Sequence, residues 1–174
     1  GDVYKRQALD FGIPQSIGEF AVTAFPTSHD APGSCGFRLD AAGGAVGVLT
    51  DTGYVTDEAA DILEGVDLAV LEASHDIETL RSGPYPYYLK QRILGAQGHL
   101  SNEDAARFAA VLAQSGTSEI ILAHLSRENN TPAMAQTAVE RALSAAGVSP
   151  LLSVAPRDCL GPAHTVSRRS VCRR

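Results

Sequence analysis

The sequence has no tryptophan, one methionine and three cysteines among its 174 residues. Cys35, Cys159 and Cys172 are few, odd in number and widely spaced, which argues against a disulfide framework and favours a reducing compartment such as the cytoplasm. No stretch approaches the roughly 20 apolar residues of a membrane-spanning helix. These shortages argue against a disulfide-stapled secreted domain and against an integral membrane protein.

Positive charge is also scarce, with 14 basic and 20 acidic residues and a formal net charge of -6. This balance argues against a protein that coats nucleic acid through a generally basic surface. A nuclease remains compatible with it, because bound metal ions can supply positive charge locally. The hydrophobic content of 44% is ordinary, and the length is sufficient for one domain with a substantial core.

The two ends of the sequence differ from the rest. Residues 1–7 read GDVYKRQ, which resembles the translation of a sequencing-library adapter, and we expect them to be non-native. Residues 8–156 are then expected to form a partial domain, the C-terminal part of a longer protein. Residues 157–174 end in SRRSVCRR, which has four arginines in eight residues and favours a disordered basic tail over a binding arm.

Short apolar runs alternate with capped, amphipathic segments along the chain. The apolar runs predict strands at 20–25, 36–39, 45–49, 66–71, 120–123 and 151–154. The capped segments predict helices at 56–63, 76–81, 87–94, 102–113 and 132–146. Because the alternation runs through short loops, the sequence predicts an α/β sandwich rather than a helix bundle.

Histidines and carboxylates recur where the predicted strands end. Asp51, Glu72 and His124 each follow an apolar strand, and His29 and His99 lie in loops. Because α/β sheets place their sites at the carboxyl ends of strands, we expect several of these side chains to meet. Imidazole and carboxylate donors from different strands would suit zinc or a similar ion, and a pair of ions could activate water.

Each of these residues also has a purely structural interpretation. Asp51 could open a turn or cap the helix that follows, and His29 could be a solvated turn residue. His75 fits the surface of a helix slightly better than a site, and His99 could hydrogen-bond to the next helix start. His124 is the hardest to interpret in this way, because it closes a strongly apolar strand.

An aromatic and basic cluster lies between two of these loops. It contains Tyr85, Tyr87, Tyr88, Lys90 and Arg92. Tyrosines can stack on the bases of a single-stranded end while the cations contact phosphates. The alternative, which the residue pattern alone slightly favours, is that the tyrosines and prolines only pack a loop against the sheet.

Several motifs resemble those of the metallo-β-lactamase-fold hydrolases. They are TSHD at 27–30, TDTG at 50–53, GHLSNEDAA at 98–106 and LAHLS at 122–126. Within that family, LEASHD at 71–76 and GPYPYYLKQRIL at 83–94 are similar to the YycJ/WalJ group of bacterial metal-dependent nucleases. The resemblance covers residues 20–156 and implies the C-terminal part of an αββα sandwich. It implies a metal-dependent phosphodiesterase, specifically a 5′-to-3′ DNA exonuclease, as the activity of the full-length protein.

The resemblance also implies a role for individual residues. His29 corresponds to a ligand of one metal ion, Asp51 to the carboxylate that bridges both ions, and His124 to a ligand of the second. Glu72 and His99 correspond to a catalytic pair that transfers a proton near the scissile phosphate. The ions would be zinc or manganese, and the partner would be DNA. Substrate contacts are expected from Ser126, Tyr85, Lys90 and Arg92, although Ser126 could equally cap its own loop.

One family motif is missing from the sequence. These hydrolases carry HxHxDH upstream of the matched region, and no HxH occurs in this chain. The first ion would keep only His29 and Asp51, and the second only Asp51 and His124, which is fewer ligands than catalytic zinc sites use. We therefore expect this chain alone to be inactive and its full-length parent to be active. A glyoxalase II-like (thio)ester hydrolase and a non-catalytic pseudo-domain are the alternatives, and the GHLS loop favours phosphodiester chemistry over the thioester.

Overall fold

The computed structural model describes residues 8–166, within which seven strands form a single sheet whose spatial order equals the chain order. The strands are β1 (Gln15–Ile17), β2 (Phe20–Pro26), β3 (Cys35–Ala41), β4 (Gly44–Leu49), β5 (Leu68–Glu72), β6 (Glu119–Ala123) and β7 (Leu151–Val154). The helices are α1 (Asp57–Leu63), α2 (Ile77–Ser82), α3 (Tyr87–Leu94), α4 (Asn102–Gln114) and α5 (Pro132–Ala145). The expected non-native start at 1–7 and the end of the expected tail at 167–174 lie outside the described residues.

The direction of pairing changes in the middle of the sheet. Strands β1 to β4 pair antiparallel, and β4 to β7 pair parallel. Parallel neighbours need a crossover connection, which α1, the α2–α4 segment and α5 provide in turn. Because β4, β5 and β6 run in one direction, their carboxyl ends meet at the same edge of the sheet. Those ends carry Asp51, Glu72 and His124.

The main core lies between one face of the sheet and three helices. Leu71 of β5 and Leu122 of β6 belong to one buried cluster with Leu63 of α1, Phe108 of α4 and Val139 of α5. Burial of this apolar surface is the principal stabilising contribution to the fold. The α/β fold predicted from the alternation of elements is confirmed. No helix within residues 8–166 is long and apolar enough to cross a membrane.

The other face of the sheet is less covered. By strand register, Phe37, Val48, Val70 and Ile121 lie side by side on this face. Phe37, Val48 and Val70 are only half-buried, whereas Leu71 and its neighbours on the helix-covered face are fully buried. One face of the sheet therefore carries the main core, and the other carries a row of partly exposed apolar side chains.

Most element boundaries agree closely with the prediction. Four helices begin at a side-chain N-cap that accepts a hydrogen bond from an amide three residues on: Thr56, Asp76, Ser101 and Thr131. Strand β5 begins at Leu68 rather than Val66, and it includes Glu72 as its last residue. Strand β1 has no counterpart in the prediction, because its three residues include two exposed ones and show no apolar alternation.

Residues 157–166 follow β7 without a further helix or strand. Arg157 donates to the carbonyl oxygens of Leu125 and Ser126, and His164 lies 2.6 Å from Glu119 of β6. These contacts tie the segment to the ends of β6.

Gly36 of β3 lies where a side chain has no room. A Cβ at this position would be 2.5 Å from Phe25 Cε2 and 2.7 Å from the carbonyl oxygen of Val48. The Phe25 ring is fully buried and the carbonyl belongs to the neighbouring strand, so neither can move aside easily. We expect Gly36→Ala to lower the free energy of unfolding in urea by about 1–3 kcal/mol, as overpacking does.

Gly43→Ala is the matched control in the turn between β3 and β4. A Cβ at Gly43 would meet no atom closer than the Val166 carbonyl oxygen at 3.6 Å. We expect this variant to change the free energy of unfolding by less than about 0.5 kcal/mol. Equal losses in the two variants would contradict the packing explanation.

Candidate metal centre

Three parallel strands and two loops bring five side chains to one edge of the sheet. Asp51 lies just after β4, Glu72 ends β5, and His124 follows β6 directly. His29 comes from the loop between β2 and β3, and His99 from the loop between α3 and α4. All the residues predicted as metal ligands or as the catalytic pair are thus brought together.

The carboxylate of Asp51 is at the centre of this cluster. Its Oδ1 lies 4.0 Å from His29 Nε2, 3.9 Å from His99 Nδ1 and 3.8 Å from His124 Nε2. The Asp51 side chain is 41% exposed, so it remains accessible to a ligand. The geometry is that of one carboxylate oxygen shared by imidazoles from three separate loops.

Backbone conformation supports a functional interpretation of two of these residues. Asp51 and His124 have φ of 55° and 58°, and they are the non-glycine residues within 8–166 with positive φ. The left-handed region is costly for residues with a Cβ, and such conformations cluster at functional sites. The interpretation of Asp51 as the cap of α1 is wrong, because Thr56 occupies that position.

Glu72 is fully buried beneath the histidines. Its Oε1 lies 2.8 Å from His99 Nδ1 and 2.7 Å from His124 Nδ1, and its Oε2 accepts from the Thr52 amide at 3.0 Å. Burial raises the pKa of Glu72, but the hydrogen bonds from His124, His99 and Thr52 outweigh burial, so the net pKa is lowered. Glu72 is therefore an ionised carboxylate that orients two imidazoles.

The partners of His29 and His124 determine which ring nitrogen is free. His29 Nδ1 lies 3.0 Å from the Gly98 carbonyl oxygen, and His124 Nδ1 faces Glu72. Because both partners only accept hydrogen bonds, Nδ1 carries the proton in each ring. The Nε2 atoms, which face Asp51, therefore carry the lone pair when the rings are neutral. Metal-binding histidines have this arrangement, in which the second nitrogen donates to a carboxylate or a carbonyl.

The donor set fits a divalent cation. Asp51, Glu72, His99 and His124 offer nitrogen and oxygen atoms that all lie within 4.8 Å of one another. Imidazole nitrogen combined with carboxylate oxygen suits zinc and neighbouring transition metals. The residues present are therefore chemically suited to holding metal.

A cavity of about 330 Å³ opens beside the cluster. His29, His99 and His124 form its wall on the side of the cluster, and Leu89 and Ile93 of α3 contribute apolar surface. The cavity therefore connects the candidate metal centre with the exposed helix α3.

Of the four residues predicted to bind substrate, three line this cavity and one does not. Tyr85, Arg92 and Ser126 line it, whereas Lys90 is absent from its walls. Lys90 Nζ instead donates to the carbonyl oxygens of Arg81 at 2.6 Å and Gly83 at 2.7 Å. Lys90 thereby holds together the chain between α2 and α3.

Arg92 and Ser126 also have partners within the protein. The Arg92 guanidinium forms a two-point ion pair with Asp30, whose pKa is lowered by that hydrogen bond. The Ser126 hydroxyl accepts from the backbone amide of Asn129 at 3.2 Å, so it caps its own loop as well as lining the cavity.

His75 is the residue whose burial the sequence pattern failed to indicate. Its predicted place on a helix surface is wrong, because α2 begins after the Asp76 cap and His75 precedes that cap. The side chain is 1% exposed and lines the cavity. Its position three residues after Glu72 was the one feature of the sequence that placed His75 near the cluster. The polarity of histidine alone predicts an exposed side chain rather than a buried one.

Comparison with known proteins identifies the family. The profile of the Beta-lactamase superfamily domain matches residues 2–125. The chain belongs to the beta-lactamase superfamily. This membership confirms the family predicted from the motifs.

Two curated relatives of this chain are named exodeoxyribonucleases. Exodeoxyribonuclease WalJ of Streptococcus pneumoniae serotype 2 (strain D39) is 39% identical over 145 residues, which cover 83% of this chain and 54% of the relative. Exodeoxyribonuclease YycJ of Bacillus anthracis is 38% identical over 149 residues, which cover 84% and 56%. The chain thus spans about half the length of these relatives.

A solved structure supports the superfamily fold. The crystal structure of a diphosphatase from the PhnP family superposes with a TM-score of 0.56 at 15% identity. The superposition covers 90% of this chain and 48% of the diphosphatase. The likeness therefore concerns the architecture, and it extends over nearly the whole chain.

Replacing the buried carboxylate tests its electrostatic role. The pKa of His124 is raised, and the hydrogen bond to Glu72 is the main cause. We expect Glu72→Gln to lower this pKa in the metal-free protein, because a neutral amide no longer favours the imidazolium form. Proton NMR titration of the His124 ring measures the change.

Glu119→Gln is the control, because Glu119 contacts His164 rather than His124. This variant is expected to leave the His124 titration unchanged. A His124 pKa that does not fall in Glu72→Gln would contradict the proposed hydrogen-bonded pair.

Proposed function

We propose that the full-length protein represented by this chain is a metal-dependent phosphodiesterase, a 5′-to-3′ exonuclease acting on DNA in the cytoplasm. The proposal rests chiefly on the three imidazoles that surround Asp51 Oδ1 at 3.8–4.0 Å. The names of the exodeoxyribonuclease relatives favour DNA over other phosphodiesters. The free thiols of Cys35 and Cys159 are consistent with a reducing compartment.

In this proposal His29, Asp51 and His124 would hold two divalent ions, zinc or manganese, with Asp51 contributing to the binding of both. Bound ions would supply an activated water and would stabilise charge on the phosphate oxygens. The observation in favour is that His29 Nε2 and His124 Nε2 both face Asp51 while their Nδ1 atoms are held by fixed acceptors.

Glu72 and His99 form the proposed proton-transfer pair. His99 Nδ1 donates to Glu72, and the ring lines the cavity. As the bond between phosphorus and the leaving oxygen breaks, His99 gives a proton to that oxygen. The ionised Glu72 accepts the Nδ1 proton of His99 and so fixes the orientation of the ring for this step.

The cavity is proposed to receive the substrate strand. Tyr85 and Arg92 line the cavity from the side of α3 and would contact bases and phosphates. Ser126 is proposed to contact phosphate from the opposite wall. Lys90 contributes through the carbonyl oxygens that it holds, and so positions the loop that carries Tyr85.

We propose that the 174-residue chain alone is inactive. The histidine-rich HxHxDH motif of the family does not occur in this chain. Of the proposed metal ligands, the chain therefore contains His29, Asp51 and His124. Two protein ligands for each ion would bind metal weakly compared with the full set of a catalytic zinc site.

DNA cleavage by the protein extended with its upstream segment tests this function. With manganese and a labelled single-stranded oligonucleotide, the extended protein is expected to release nucleotides from the 5′ end. Asp51→Ala is expected to abolish release, and Glu72→Gln to reduce it about 10–100-fold, as loss of an outer-shell carboxylate does. Asp61→Ala, an exposed position on α1, is the control and should retain full activity.

Two results would contradict the proposal. Full activity of Asp51→Ala would contradict the proposed metal-binding role of Asp51. DNA cleavage by the 174-residue chain would contradict the proposal that this chain alone is inactive. Turnover of a thioester such as an S-acyl glutathione, in the absence of DNA cleavage, would favour the glyoxalase II-like alternative. Absence of both activities, without stoichiometric metal, would favour a pseudo-domain.

A further inference from the structure

Helix α3 presents two tyrosine side chains to solvent. Tyr87 is 77% exposed and Tyr88 is 75% exposed, although both are large aromatic residues. All eight residues of α3 are exposed or half-buried. The interpretation in which the tyrosines only pack a loop against the sheet is therefore wrong for Tyr87 and Tyr88, and both rings are accessible to a ligand.

The two faces of α3 border two different cavities. One cavity is that beside the Asp51 cluster, and the other has a volume of about 490 Å³. The inner face of the helix, on the first cavity, consists of Leu89, Arg92 and Ile93, and the outer face, on the second, consists of Tyr87, Lys90, Gln91 and Leu94. Because successive residues are about 100° apart around a helix, Tyr88 lies on the flank between these faces, one turn before Arg92. A strand that leaves the first cavity over Tyr88 therefore reaches the outer face.

Positive charge accompanies the exposed rings. Within residues 8–166, α3 is the only helix that has basic side chains and no acidic ones, in a chain whose formal net charge is -6. Lys90 and Arg81 both line the second cavity, and the Arg81 side chain is 62% exposed beside Glu78. The Lys90 ammonium has three N–H donors, of which two donate to carbonyl oxygens in the described part of the chain, so the third is left for a phosphate. Cations beside exposed aromatic rings complement the phosphates and bases of a single strand.

We propose that single-stranded DNA continues from the cavity beside the Asp51 cluster onto the outer face of α3, with the rings of Tyr88 and Tyr87 stacked on its bases. Lys90 and Arg81 contact the phosphates of this part of the strand. The strand must be unpaired, because the bases of a duplex are stacked on one another and leave no free face for a side chain. This inference rests on the proposed function and adds to it a surface that holds the strand beyond the nucleotide at the Asp51 cluster.

Binding of a labelled single strand to the 174-residue chain tests this surface. Fluorescence anisotropy with a fluorescein-labelled oligothymidylate gives the dissociation constant, and a chelator in the buffer prevents cleavage. We expect the double variant Tyr87→Ser, Tyr88→Ser to raise the dissociation constant about ten-fold or more, because stacking on each ring contributes to affinity. The double variant Tyr87→Phe, Tyr88→Phe keeps both rings and is expected to change the constant less than about three-fold.

The salt dependence of binding tests the phosphate contacts separately. Arg81→Gln removes one proposed contact, so we expect the slope of log affinity against log salt to become shallower by about 0.7, as loss of one contact to a single strand does. Arg107→Gln is the matched control, because Arg107 also pairs with an acidic residue three positions before it but lies on α4. The control is expected to leave the slope unchanged. All the substituted side chains are exposed, and circular dichroism establishes that each variant is folded.

Three results would overturn the DNA-binding surface on α3. They are equal affinity of the serine variant and the unaltered chain, equal affinity of the unaltered chain for a duplex and a single strand, and no binding of the single strand at all. The first would favour burial of the two tyrosines against another polypeptide. The proposed phosphodiesterase is tested independently, since only failure of the extended protein to cleave DNA would overturn it.

Discussion

The candidate site depends on one buried carboxylate. Glu72 is fully buried, and burial of an unpaired charge would be strongly unfavourable. Hydrogen bonds from His99, His124 and the Thr52 amide offset that cost, and they come from three different segments of the chain. The buried charge of Glu72 is therefore stabilised only when three segments adopt their observed positions. These are the segments that follow β4 and β6 and the loop before α4.

The parallel part of the sheet makes this arrangement available. Leu49 pairs with Leu71, and Leu71 pairs with Leu122, so the residues that follow these positions leave the sheet together. Asp51 and His124 then turn through left-handed backbone conformations, which are costly for residues with a Cβ. Hydrogen bonds to Glu72 from His124 and from the residue next to Asp51 hold these strained turns in place.

The sequence predicts much of this fold and the membership of the cluster. Apolar runs that stop at a polar residue identify the ends of β4 and β6, and so identify Asp51 and His124. Side-chain contacts between distant segments have no such signal, which is why the double hydrogen bond of Glu72 could not be derived from spacing. Burial of His75 was missed for the same reason, since His75 pairs with Ser101, a residue distant in the sequence. Lys90, chosen for its charge, donates to the carbonyl oxygens of Arg81 and Gly83, which composition cannot reveal.

The histidines around the cavity are chemically alike but differ in their partners, and the partners divide the site into two parts. His29 and His124 are held through Nδ1 by fixed acceptors, so their Nε2 atoms face the Asp51 carboxylate. The ring nitrogens of His75 have no hydrogen-bond partner within residues 8–166, and burial lowers the pKa of this ring to about 4, so it is neutral. The two rings whose acceptors fix the Nδ1 proton are thus the ones suited to a metal ion, whereas His75 lies outside that set.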